Sequence, residues 1–169
     1  MNGGTVGNAA INEGQIEKRA QHPIAQCLIR RLTVPTIYFE ARWPTEDASV
    51  DLLAIDRAGS GDVHVVDIKG SAASALEAAP ALLRIPAHYR WVAFPQDSLD
   101  SATQAKISAR EGLFPPEGAG RIGLIEIVRG PGDDLGANIV LTAERFRGFY
   151  REKAKAFAET HAADIDFGD

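Results

Sequence analysis

Three closely spaced apolar segments constrain this chain more than any other feature: TIYFEARW (36–43), SVDLLAID (49–56) and DVHVVDIK (62–69), divided only by PTEDA and RAGSG. β-branched and aromatic residues dominate the segments and turn formers fill the dividers, so the stretch reads as an antiparallel three-strand meander. The second and third segments are apolar at both alternating positions, unlike a strand with one face in water. Strands of that kind are covered on both sides, which in a chain of 169 residues calls for helices packed on each face of the sheet.

Suitable helices flank the meander. Over residues 12–32, Ile16, Ala20, Ile24, Cys27 and Leu28 recur at helical spacing, and Pro23 either kinks this helix or opens a second one. SAASALEAAPALL (71–83) and DSLDSATQAKISARE (97–111) read as helices, each followed by a strand, HYRWVAF (88–94) and RIGLIEIV (121–128). NIVLT (138–142) suits an edge strand, and residues 143–162 read as an amphipathic helix with Phe146, Phe149, Tyr150 and Phe157 on one stripe. The expected fold is therefore α/β: an αβββαβ core, a mixed sheet flanked by helices, and an extra C-terminal helix. A hydrophobic content of 45% supports one core, giving a flexible leader (1–11), a single domain (12–162) and an acidic tail (163–169).

A net charge of −5 is not the footprint of a chain that grips nucleic acid over its whole surface, so any such contact is local. Cys27 is the lone cysteine, which excludes an intramolecular disulfide and suits a reducing compartment. MNGGTVGNAAINEG has neither a basic nor an apolar targeting region, and no apolar run approaches ~18 residues, so a cytoplasmic protein with no membrane partner is expected. His22, His64, His88 and His161 are scattered, which gives zinc no cluster, and phosphate-loop, nucleophile-elbow and dinucleotide motifs are missing from the sequence.

Chemistry concentrates in SVDLLAIDRAGSGDVHVVDIKGS (49–71). With a turn at residues 58–61, positions whose numbers sum to about 118 stand opposite each other, so Asp51 faces Asp67. Directly opposed residues have Cβ atoms ~4.5–5.5 Å apart, and Lys69, two positions beyond Asp67, projects to the same face. That face continues as Leu53, Ile55, Val63 and Val65. Two carboxylates this close repel unless a cation lies between them, and an oxygen donor set suits Mg²⁺ or Mn²⁺. The plain alternative is an Asp67–Lys69 surface ion pair beside a solvated Asp51; the opposed Asp51 and the order of elements weigh against it.

Asp51 followed by Asp67-x-Lys69, within that order of elements over residues 12–128, resembles the PD-(D/E)xK nuclease superfamily. The resemblance implies a restriction-endonuclease-like fold, with Asp51, Asp67 and the main-chain carbonyl of Ile68 as metal ligands. It implies a catalytic Lys69 that positions or activates the attacking water. Val50 stands where the family's nominal proline precedes the first acid. Many members add a glutamate from the first helix, for which Glu17 is the candidate and Glu13 its competitor. Glu40 is a third, although counting through the turn at 43–49 puts Ala41 opposite Asp51, so Glu40 needs a bulge to turn inward. Arg147, Arg151 and Lys155 recur every four residues, either as a phosphate-contacting ridge or as a solvated face balanced by Glu144, Glu152 and Glu159. The expectation is a Mg²⁺- or Mn²⁺-dependent nuclease acting in repair, restriction or defence, with DNA ahead of RNA, as a homodimer or in a larger complex. A catalytically silent nuclease-fold module binding DNA or a protein partner is the alternative, and a structural subunit the third reading.

Overall fold

The computed structural model describes residues 13–32, 35–45, 47–57, 61–114, 120–148 and 150–166. The leader 1–11, the hairpin tip 58–60, Phe149 and the Glu13 side chain lie outside the described residues. Elements follow in the order α1 (Glu13–Ile29), β1 (Pro35–Ala41), β2 (Val50–Asp56), β3 (Val63–Ile68), α2 (Ala72–Leu82), β4 (Tyr89–Pro95), α3 (Ser101–Ser108), β5 (Gly123–Arg129), β6 (Leu135–Leu141), α4 (Arg151–Thr160) and β7 (Ile165–Asp166). The protein is a mixed α/β fold with a seven-stranded sheet in the order β6-β5-β4-β3-β2-β1-β7. β3, β4 and β5 run parallel, and the remaining neighbours pair antiparallel. No helix among the described residues is long and apolar enough to cross a membrane.

Strand periodicity sorts the core into layers. Leu52, Ala54, Val66 and Ile68 point to one face and meet Ile16, Ala20, Ile24 and Leu28 of α1. Leu53, Ile55, Val63 and Val65 point to the other, under Ala154 and Phe157 of α4. On that same side, Val92, Phe94 and Leu124 pack beneath Ala72, Ala75, Ala79 and Leu82 of α2. The doubly apolar reading of β2 and β3 has this cause: both strands are interior and covered on both faces.

Several expectations need correction. α1 runs through Pro23 as one helix, so of the two alternatives there no second helix opens. α3 starts at Ser101, because Asp100 caps it by accepting from the Thr103 N–H, and residues 96–98 form a separate turn of 3₁₀-helix. The last helix is Arg151–Thr160 instead of 143–162. Backbone groups before it bond sideways: Glu144 N–H donates to Arg121 O and Phe146 N–H to His88 O, which leaves this stretch no helical ladder. Arg147 therefore lies outside α4, and the three-cation ridge does not form on one helix. Ile165–Asp166, in the expected acidic tail, pair with β1 as β7. Ala41 pairs with Val50, not Asp51. The β1–β2 ladder passes over Glu40, which takes a left-handed φ of 49° and leaves its side chain exposed.

Candidate active site

The β2–β3 register sets the site. Leu52 pairs with Val66, Leu53 with Val65 and Ile55 with Val63, so one step further along the same ladder Asp51 stands level with Asp67. Both carboxylates sit at the end of the sheet where β3 and β4 finish, and in parallel sheets the crevice beyond the strands' carboxyl ends is where ligands bind. Lys69 follows immediately, and its backbone N–H donates to Ala93 O of β4 at 2.9 Å, so it keeps the strand's alternation and presents its side chain beside Asp67. The Lys69 ammonium lies 3.5 Å from Asp67 Oδ2, with both side chains roughly one quarter to one third exposed, 30% and 26%.

Asp51 is the most perturbed of these groups. Burial pushes its carboxyl up to about 7, against the stabilising hydrogen bond from the Ile68 N–H and with further upward pressure from the adjacent Asp67 and from Glu17. The Ile68 N–H meets Asp51 Oδ2 at 2.6 Å. An extended residue directs its N–H and C=O to the same edge of its strand, so the Ile68 carbonyl also faces the Asp51 edge. The Ile68 side chain, by contrast, is buried against α1.

A cavity of about 390 Å³ holds this chemistry, with Glu17, Asp51, Asp67 and Lys69 on its wall and Ala78 and Ala81 of α2 opposite. Glu17 thus joins the aspartates from the helix on the other face of the sheet. Glu40 does not line this cavity, and neither do Arg147, Arg151 or Lys155. Arg147 is exposed on the segment before α4. Arg151 and Lys155 border a separate groove. Among the described residues no group of three or more His, Cys, Asp or Glu side chains is placed to hold a metal ion by itself. The carboxyls on the cavity wall are those of Asp51, Asp67 and Glu17.

Sequence reasoning missed a second polar cluster at the other end of the same hairpin. Asp56 and Asp62 also satisfy the register sum of 118, and Asp56 N–H donates to Asp62 O at 2.9 Å. Arg145 Nη2 bonds Asp62 Oδ1 at 2.9 Å, and His88 Nδ1 accepts from the Val63 N–H at 2.9 Å while lying 3.7 Å from Asp62. His64 stacks on Tyr89 and accepts from Trp91 Nε1 at 3.3 Å; burial pushes it down to about 4. Burial also lowers His88, so both rings are neutral at physiological pH. Applying the register sum to both ends of the hairpin would have paired Asp56 with Asp62, although not with Arg145 or His88, which come from distant segments. It is a structural clasp: Arg145 neutralises the buried Asp62 and ties the segment before α4 to the sheet.

No known family matches the chain, and no curated protein is similar to it.

Proposed function

We propose that the chain is a metal-dependent nuclease of the PD-(D/E)xK kind with the restriction-endonuclease-like core, hydrolysing phosphodiester bonds of nucleic acid, DNA ahead of RNA. The observation that carries this reading is the meeting of Glu17, Asp51, Asp67 and Lys69 in one cavity, three carboxylates against one ammonium. The order helix, three-strand meander, helix, strand supports it. So does the elevated Asp51 carboxyl, since excess negative charge in a half-buried pocket is what a bound cation would relieve.

The donors fit a hard divalent ion. Asp51, Asp67 and the Ile68 carbonyl would hold Mg²⁺ or Mn²⁺, with water completing the shell. When bound, the ion supplies neutralisation of phosphate charge and acidifies an attached water. The chain's own residues do the rest: the Ile68 N–H fixes the Asp51 carboxylate, and Asp67 anchors the Lys69 ammonium where it orients a water for attack. Glu17 supplies a further acceptor for that water's proton. Action as a homodimer or within a larger complex belongs to the same proposal.

The test is cleavage of single- and double-stranded DNA and RNA with Mg²⁺ and Mn²⁺, comparing the parent with Asp67→Ala. Activity in the parent that the substitution abolishes is the expected result. A parent that binds Mn²⁺ and cuts nothing in the panel sinks the enzymatic reading. It would leave the silent nucleic-acid- or protein-binding module, which the net charge of −5 favours.

A further inference from the structure

A larger cavity, about 480 Å³, opens between α4 and the β1–β7 edge and shares no lining residue with the carboxylate pocket. We propose that this groove is a second ligand site, built for a nucleoside monophosphate. Its apolar floor includes Tyr38, Ile55, Ala154 and Ala158, and its volume falls within the ~300–1,000 Å³ of small-molecule sites.

Three cations converge on the groove. Arg57 reaches it from the end of β2, held at 3.3 Å by Asp166 of β7. Arg151 and Lys155 stand one turn apart on α4, and among the described residues neither has an ion-pair partner. Like charges at this spacing repel, and a phosphate dianion between them and Arg57 would remove that repulsion. The groove also presents Glu152 and Glu159, acceptors suited to sugar hydroxyls or a base amino group and unfavourable to a polyanionic strand. These carboxylates select a monophosphate with a hydroxyl-bearing body over a nucleic-acid backbone.

Thr36 is a second and independent observation. It lines the groove, is only 2% exposed, and its hydroxyl has no hydrogen-bond partner. Buried hydroxyls are rarely left so, and a ligand oxygen in the groove would satisfy this one. Tyr38 beside it is raised by burial and then by Asp166, consistent with a neutral phenol available as a donor.

The experiment is calorimetric titration of the full chain in excess chelator with adenosine and uridine 5′-monophosphates, adenosine, inorganic phosphate and a short single-stranded oligonucleotide. One equivalent of monophosphate binds; adenosine and phosphate alone bind at least about tenfold more weakly, and Arg151→Ala and Lys155→Ala each cost about five- to tenfold. Thr36→Val weakens binding without removing the phosphate preference. The proposal is overturned if neither monophosphate binds at millimolar concentration or if the double substitution at Arg151 and Lys155 leaves affinity unchanged. It is equally overturned if the oligonucleotide binds more tightly than the monophosphate, which would make the groove a strand-binding surface. Because chelator silences any metal chemistry, failure here leaves the nuclease proposal untouched.

Discussion

At the scale of the residue, Asp51 and Lys69 make opposite demands on the same pocket. The folded protein keeps the Asp51 proton up to about pH 7, whereas the unfolded chain releases it near its ordinary value of 3.8. Between those limits the folded state binds the extra proton, so this group's contribution to stability is fullest below about pH 4 and is lost as pH rises toward 7. Metal-free parent protein should therefore lose stability across that window relative to Asp51→Asn, which keeps an acceptor for the Ile68 N–H but carries no charge. Urea unfolding at a series of pH values reads the difference, and parallel profiles for the two proteins would show that Asp51 is not held protonated. The partly exposed ion pair of Lys69 with Asp67 is worth about 1 kcal/mol or less to stability, so Lys69→Ala should fold normally. Cleavage should nevertheless fall by about 100-fold or more if the ammonium orients the attacking water. Equal turnover by the variant would remove Lys69 from the chemistry.

Elements impose a different kind of constraint, in which one strand leaves no room for another's side chain. Gly123 pairs with Trp91 across β4 and β5, and a Cβ there would press into the Trp91 ring and lie 2.7 Å from the Ala143 backbone nitrogen. Gly123→Ala should cost about 1–3 kcal/mol in chemical denaturation, because neither the ring, bonded to His64, nor a backbone atom yields cheaply. A loss within error of zero would mean that the β4–β5 contact relaxes freely. Local patterns carried much of this architecture into the sequence. The alternation in β2 and β3 and the number of residues between them were enough to bring Asp51 level with Asp67, since a hairpin's register depends on near neighbours alone. Long-range partners decided the rest. Residues 143–150 carry a helical pattern, yet Arg121, Asp62 and His88 take their hydrogen bonds, and none of these is close in sequence. The β1–β2 register differs by one for a local reason: the Trp43 N–H to Ala48 O bond closes the turn earlier than a simple count assumes. Glu17 was legible only as one candidate among three, because helix periodicity does not say how far a first turn overhangs the sheet.

For the molecule as a whole, the β2–β3 hairpin carries buried acid at both ends, and the two ends are resolved differently. At the turn end Asp62 is met by the Arg145 guanidinium, so the charge is neutralised within the protein. At the open end Asp51, Asp67, Glu17 and Lys69 line one cavity, and burial, with added pressure from Asp67 and Glu17, holds the Asp51 carboxyl up to about 7. Gathering carboxyls in a partly buried cavity is unfavourable unless positive charge joins them, so the open end is where an added cation would stabilise most. A divalent cation should thus stabilise the whole molecule through the open end alone. At a Mn²⁺ concentration about tenfold above Kd, linkage gives about 1.4 kcal/mol, equivalent to a rise in Tm of about 3–6 °C for a chain of this length. The rise should be larger at pH 8 than at pH 6, because binding must displace the proton that Asp51 retains to about pH 7. Asp67→Ala should abolish it. Asp62→Asn should lower the starting Tm by loosening Arg145 and the segment before α4, while leaving the Mn²⁺-dependent increment intact. Thermal scans of the three proteins with and without Mn²⁺ decide the matter: an increment that survives Asp67→Ala, or one that vanishes with Asp62→Asn, would move the cation away from the open end of the hairpin.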